Sequence, residues 1–253
     1  MTTSERRVQL QPGFVLHHRP YRNTSLLLDV FTRERGRLTL VARGARASKS
    51  RWQGQCQPFR PLLLSWTGLN DLASLTDLES VDRSYPLNGK VLFSGYYLNE
   101  LLMRLLHPLD PHPDLYQQYT RTLTQLACLA QNGGTLEQSS RQLQSSLRLF
   151  EKYLLQELGY GLVLDHEAQS GAAIDPGRDY QYVLEIGPMP GDNRTAEAVT
   201  VSGRSLLALA SDELNDPQCL HESKKLMRAA LARYLGDRPL HTRTLLRQLE
   251  QLS

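Results

Sequence analysis

The sequence is poor in cysteine and has no long apolar run. Its three cysteines (Cys56, Cys128 and Cys219) lie far apart and form no CxxC pair, which argues against a disulfide framework or a structural zinc site. We expect them to be buried or half-buried thiols. No stretch approaches the roughly 20 apolar residues that span a bilayer, and the N-terminus has no signal-peptide core. We therefore expect a cytoplasmic protein.

Signatures of catalysis are also missing. The sequence has neither the GxxxxGK[ST] phosphate loop nor the GxSxG nucleophile elbow, and its histidines lack partners at metal-ligand spacing. Asp71, Asp77, Glu79 and Asp82 could form a metal-nuclease centre, but they fall on a weak strand and its turns, where acids are common. We predict no enzyme, no cofactor and no metal, and keep a metal-dependent nuclease as the alternative.

Acidic residues are scarce in the first 60 positions. Twelve Lys or Arg stand there against Glu5, Asp29 and Glu34, a balance of +9. Since the whole chain has a net charge of +3, the remaining 193 residues sum to −6. A basic block joined to a mildly acidic remainder indicates a module that binds a polyanion.

The most basic segment lies between residues 33 and 60, with residues 43–52 (RGARASKSRW) containing no acid at all. Small residues allow close backbone approach, arginine donors match phosphate oxygens, and tryptophan can stack on a base, although a packing role for it is equally compatible. The candidate nucleic-acid contacts are Arg33, Arg35, Arg37, Arg43, Arg46, Lys49, Arg51 and Trp52.

The first 80 residues have a β pattern. Residues 37–42 alternate polar and apolar side chains, and a turn with glycine before them predicts a hairpin with residues 25–31. Five short strands favour a small closed barrel of the OB type, although an SH3-like barrel would give a similar pattern. The predicted strands are residues 13–18, 25–31, 37–42, 58–66 and 69–80.

A helical period begins near Asn88, which is a candidate N-cap. Residues 162–200 interrupt it, since they are rich in Gly, Pro, Asp and Asn and predict a loop with an irregular hairpin. The predicted class is α+β, with an N-terminal OB-fold β-barrel (residues 1–82) followed by a mainly α-helical domain (83–253) carrying a small irregular β-hairpin insertion. The predicted helices are 88–107, 115–130, 135–159, 203–212, 217–235 and 242–252.

Five segments, in order over nearly the whole chain, carry a family resemblance. They are residues 16–50 (LHHRPYRNTSLLLDVFTRERGRLTLVARGARASKS), 57–66 (QPFRPLLLSW), 94–106 (SGYYLNELLMRLL), 147–161 (LRLFEKYLLQELGYG) and 232–249 (ARYLGDRPLHTRTLLRQL). These segments closely resemble the RecO family of bacterial DNA repair proteins, and only the region 162–200 has no matching segment.

The resemblance implies an OB-fold followed by a helical domain and a role as a recombination mediator. Such proteins bind single- and double-stranded DNA, anneal complementary strands, and act with RecR, in some organisms also RecF, to load RecA onto DNA coated by the single-stranded DNA-binding protein SSB. They catalyse no covalent step, and a nucleoid-associated location follows. Some members carry a four-cysteine zinc site in the region of 162–200. This chain has only His166 there, so we expect no metal and a hairpin held by packing alone.

The resemblance further implies recognition of the acidic, apolar C-terminal tail of SSB. Such a tail needs an apolar pocket beside a cation. Arg148 occupies a matching motif position beside Leu147 and Phe150, and a second basic and apolar cluster follows at residues 224–228. The candidate tail contacts are Arg148, Leu147, Phe150, Lys224, Lys225 and Arg228. An OB-fold protein that prefers structured RNA remains a further alternative.

Overall fold

The computed structural model describes residues 7–68, 72–81, 84–131, 135–191, 198–236 and 238–245. The chain divides into two compact units, Met1–Ala130 together with Leu240–Ser253, and Gln131–Pro239. This division does not coincide with the change from strands to helices near residue 82. The predicted domain boundary there stays a prediction.

The first unit begins with a closed five-stranded barrel, in the order β1-β2-β3-β5-β4. The predicted OB-type barrel is thereby confirmed. β1 is much longer than predicted, because its first half pairs with β4 and its second half with β2. Irregularities in both pairings allow this long strand to bend. The strands are β1 (Arg7–Tyr21), β2 (Ser25–Thr32), β3 (Gly36–Ala42), β4 (Pro61–Thr67) and β5 (Leu72–Ser80).

Two helices of the same unit pack on the barrel, α1 (Gly89–Leu105) and α2 (Pro113–Gln131). A buried polar link joins them to β1: Asn99 Nδ2 donates to the Leu16 carbonyl at 2.8 Å, and the Tyr119 hydroxyl donates to Asn99 Oδ1 at 2.5 Å. Asn88 stands at the N-cap position, but its side chain makes no capping hydrogen bond. Residues 241–245 are helical, and the rest of the predicted helix 242–252 lies outside the described residues.

The second unit combines three helices with a small sheet. α3 (Leu136–Glu157) and α5 (Pro217–Leu235) pack together, and α4 (Gly203–Ala210) follows the sheet. The side-chain oxygens of Thr135, Ser202 and Asp216 accept backbone N–H groups at the starts of these helices, as N-caps do.

The predicted irregular hairpin is a three-stranded antiparallel sheet in the order β7-β6-β8, formed by β6 (Asp179–Val183), β7 (Gly187–Pro190) and β8 (Val199–Ser202). β7 was not predicted because two of its four residues are prolines, which are tolerated on an edge strand that needs few donors. The expectation of packing alone is incomplete, since the Glu222 carboxylate on α5 accepts hydrogen bonds from the backbone N–H and the hydroxyl of Ser202 at 2.8 and 2.7 Å.

The link between Glu222 and β8 predicts an acid-sensitive second unit. Partial burial opposes ionisation of Glu222, but hydrogen bonds from Gln218, Ser202 and Ser205 outweigh it and lower its pKa from 4.5 to about 2. The carboxylate therefore stabilises the fold above pH 4.5, and this contribution is lost as the pH falls towards 2. After discounting for solvent screening, we expect Glu222→Gln to remove about 1–2 kcal/mol of stability at neutral pH. Urea denaturation from pH 6 to pH 2.5 should show the variant losing less stability than the wild type, and parallel curves would contradict this role.

The cysteines only partly match the expectation. Cys56 and Cys219 are buried, whereas Cys128 on α2 is exposed. Burial raises the pKa of the Cys56 thiol to about 11, so this thiol stays protonated at neutral pH.

Candidate nucleic-acid interface

The connection between β3 and β4 carries the basic segment of residues 43–52, hereafter the basic loop. It is a succession of tight turns, in which the backbone N–H groups of Ala47, Ser50 and Gln53 donate to carbonyls three residues earlier at 3.0–3.2 Å. The Arg46 N–H donates to the Thr24 carbonyl at 2.7 Å and so ties the loop to the turn between β1 and β2. The loop backbone is therefore anchored to the barrel at a second point.

Three side chains of the basic loop project freely. Arg43, Arg46 and Lys49 are exposed, and within the described part of the chain none of them forms an ion pair. Arg33 and Arg35, in the turn between β2 and β3, are also exposed. Guanidinium groups without an acidic partner keep their donors for phosphate oxygens.

Trp52 does not fit the stacking role predicted for it. It is only 4% exposed and belongs to the hydrophobic core of the barrel together with Cys56, so its ring is not accessible to a base. The Arg51 guanidinium lies 4.0 Å from the centre of the Trp52 ring and donates to the Thr76 carbonyl at 2.8 Å. Trp52 therefore anchors the end of the loop in the core, and Arg51 is partly engaged within the protein.

Arg37 also differs from expectation. It is half-buried on β3, and its Nε donates to the Leu106 carbonyl at 3.1 Å, just beyond the end of α1. Since the last carbonyls of a helix lack intrahelical partners, this bond completes the end of the helix. Arg37 thus links the barrel to α1 instead of projecting as a phosphate donor.

The residues predicted to bind the SSB tail on α3 are mostly buried. Arg148 is 6% exposed and pairs with Glu151, which is 1% exposed, through a bond of 2.7 Å from Nε to Oε2 and a second contact between Nη2 and Oε1. Phe150 is fully buried and Leu147 is half-buried. Arg148 is therefore not a helix-surface charge. In contrast, Lys224, Lys225 and Arg228 on α5 are exposed.

The acidic residues considered for a nuclease centre do not assemble in the described part of the chain. Asp71 and Asp82 lie outside the described residues, whereas Asp77 and Glu79 lie on β5, where Asp77 Oδ1 accepts the N–H of Leu78 at 3.0 Å. Among the residues described, no group of three or more His, Cys, Asp or Glu could hold a metal ion. In the same residues, no helix is both long and apolar enough to cross a membrane.

Two residues that contact predicted site residues, Thr76 and Glu151, were not predicted from the sequence. Thr76 holds Arg51 through its backbone carbonyl, across a separation of 25 residues, so no local pattern could reveal it. Glu151 stands three residues after Arg148, a spacing that favours contact on a helix. The sequence therefore contained the spacing that indicates a contact with Arg148, but it did not indicate that the pair is buried.

Comparison with known proteins covers almost the whole chain. The family model "Recombination protein O N terminal" matches residues 7–83 and "Recombination protein O C terminal" matches residues 87–244. Three proteins named "DNA repair protein RecO" are similar along nearly their full lengths. That of Nitrosococcus oceani is 45% identical (97% of this chain and 96% of the relative). That of Coxiella burnetii is 44% identical (95% and 99%), and that of Nitrosospira multiformis is 41% identical (100% of both). The chain therefore belongs to the RecO family of DNA repair proteins.

Proposed function

We propose that this chain is a recombination mediator that binds the phosphate backbone of single- and double-stranded DNA through its basic loop. The observation that carries the proposal is the group of Arg43, Arg46 and Lys49, three exposed cations on an anchored loop, with no ion-pair partner among the described residues. Arg33 and Arg35 extend the same charge to the neighbouring turn. Cations left unpaired on an ordered backbone retain their full attraction for phosphates.

Binding of this kind is independent of base sequence. Phosphate contacts position a protein on nucleic acid without reading its bases, and each contact releases counterions. Neutralised phosphates repel a second strand less, so the same contacts favour the annealing of complementary strands. With Trp52 buried, the loop supplies charge and not base stacking.

The mediator role further involves protein partners, which we propose from membership of the family. They are RecR, in some organisms RecF, SSB through its C-terminal tail, and RecA, which is loaded onto SSB-coated DNA. The role requires no covalent step, and its place is the cytoplasm, in association with the nucleoid. Of the six predicted tail contacts, only Lys224, Lys225 and Arg228 are exposed, so the tail site remains a prediction.

The combined change Arg43→Ala, Arg46→Ala and Lys49→Ala tests the proposal. We expect weaker binding to single-stranded DNA of any sequence. The slope of log K against log salt should flatten by about 0.7 for each lost phosphate contact, or about 2 for all three. Fluorescence anisotropy of a labelled oligonucleotide between 50 and 300 mM salt gives this slope directly. An unchanged slope would rule out the basic loop as the main contact.

A matched control carries the same change of charge elsewhere. Lys90→Ala, Arg121→Ala and Arg141→Ala remove three cations from α1, α2 and α3, and this variant should retain the slope of the wild type. RNA competing better than DNA at matched salt would favour the RNA-binding alternative. Cleavage of labelled DNA with Mg²⁺, abolished by Asp71→Ala, would establish the nuclease instead.

A further inference from the structure

The cations of the second unit are mostly neutralised by neighbouring acids. Exposed and buried cations alike follow this pattern, and the pairs are Arg141 with Glu137, Arg148 with Glu151, Lys152 with Asp212, Arg178 with Asp175, Arg204 with Asp216 and Arg233 with Glu185. Three cations of α5 depart from it. Within the described part of this unit, Lys224, Lys225 and Arg228 form no ion pair, and all three are exposed on α5.

These three residues form one face of the helix, hereafter the α5 basic face. Residues 224 and 228 are one turn apart, and residue 225 lies beside them, so the cations are neighbours. The other side of α5 is fully occupied, since Leu220, Leu226 and Leu231 are buried and the helix packs against α3, α4 and β8. The basic face is therefore the side of α5 that is left for a partner.

Helix stability does not explain this arrangement. Like charges four residues apart destabilise a helix, and the C-terminal dipole rewards cations only within the last turn. Arg233 lies in that last turn, whereas Lys224, Lys225 and Arg228 lie in the middle of α5. Binding of an anion would offset the repulsion between these cations, and it therefore explains why they occur together.

We propose that the α5 basic face is a second nucleic-acid contact surface, which binds the phosphates of a DNA strand. Four residues of helix extend about 6 Å along the axis, which matches nearly two intervals of about 3.4 Å between successive phosphates of a strand, so that three cations can meet three phosphates. An acidic peptide with an apolar end would also need an apolar pocket beside the cations. A pocket lined by Tyr160, Ile186 and Tyr234 does lie against the last turns of α5, but none of the three cations lines it. The cation that does, Arg233, is already paired with Glu185. The phosphate backbone, which needs cations alone, is the better match.

This inference rests on the proposed DNA-binding function but on a different unit of the chain. The test uses the full-length protein in four forms: wild type, the basic-loop triple variant, the variant Lys224→Ala, Lys225→Ala and Arg228→Ala, and the two combined. Binding of a labelled oligothymidylate is followed in a salt titration. We expect the α5 variant to flatten the salt slope by about 2, and the combined variant to flatten it by the sum of both effects.

Two controls make the result specific. Arg141→Ala, Arg178→Ala and Arg204→Ala remove three ion-paired cations from the same unit and should leave the slope unchanged. The charge-preserving variant Lys224→Arg, Lys225→Arg and Arg228→Lys should bind like the wild type.

The outcomes separate the two proposals. A wild-type slope in the α5 variant together with a flattened slope in the loop variant overturns the α5 proposal alone. The reverse pattern supports the α5 proposal and overturns the basic loop as the main contact, and two unchanged slopes overturn both. If the α5 variant keeps the DNA slope but loses binding of a labelled acidic peptide that ends in phenylalanine, the face binds a protein tail and the α5 proposal is wrong.

Discussion

Glu151→Gln should lower the free energy of unfolding by about 3–5 kcal/mol, a large part of the stability of a protein of this size. Glu151 and Arg148 are almost fully buried and lie one turn apart on α3. Removal of the carboxylate charge leaves the Arg148 guanidinium buried beside a neutral amide. Urea denaturation followed by circular dichroism measures the loss.

A double variant separates the value of the pair from the cost of breaking it. In Arg148→Met with Glu151→Leu, both charges disappear together, and hydrophobic replacement of a buried pair is often neutral or stabilising. We expect this variant to be more stable than Glu151→Gln. Similar losses in both variants would mean that the destabilisation comes from altered packing and not from the loss of one charge of the pair.

The same double variant is the appropriate test of Arg148 in recognition of the SSB tail. Arg148→Ala alone removes one charge of the buried pair with Glu151, so any loss of peptide binding would be mixed with loss of stability. If Arg148 contacts the tail, the double variant should bind the tail peptide more weakly and DNA as well as the wild type. Unchanged peptide binding would contradict that contact.

Gly36→Ala should be the second strongly destabilising change, at roughly 3–5 kcal/mol. Gly36 opens β3 with φ +64°, and a Cβ built there would lie 2.0 Å from the carbonyl oxygen of Asp110. Such a contact with backbone cannot be relieved by a change of rotamer. The loop that follows α1 would have to move away from the barrel, and with it the bond from the Leu109 N–H to the Arg37 carbonyl, now 2.8 Å.

Gly44→Ala is the matched control in the basic loop. Gly44 has almost the same backbone conformation, with φ +71°, but no atom lies within 4 Å of its Cβ position. Its substitution should cost only the left-handed strain of about 1–2 kcal/mol. Melting temperatures of the two variants provide the comparison, and equal shifts would show that conformational strain, and not the contact with Asp110, determines the cost at Gly36.

Local patterns were sufficient to predict most of the elements. The alternation along β3 and the helical spacing of α5 each express a face that must be buried, and such periodicity depends only on neighbouring residues. β7 was missed because Pro188 and Pro190 weaken any strand pattern, and only its pairing with β6 allows it to form. The length of β1 was underestimated for the same reason, since its first half is a strand through its pairing with β4.

The sequence alone determined three features: the basic character of the first 60 residues, the position of the basic loop between two strands, and membership of the RecO family. It did not determine which of the predicted site residues are free to contact a ligand, because this depends on groups far away in the chain. Arg37 is engaged by the Leu106 carbonyl and Arg51 by that of Thr76, Trp52 is enclosed by the barrel, and Arg148 is buried with Glu151. Charge is a property of each residue, whereas exposure and pairing arise from packing, and packing separates the free cations of the basic loop and of the α5 basic face from those already engaged within the protein.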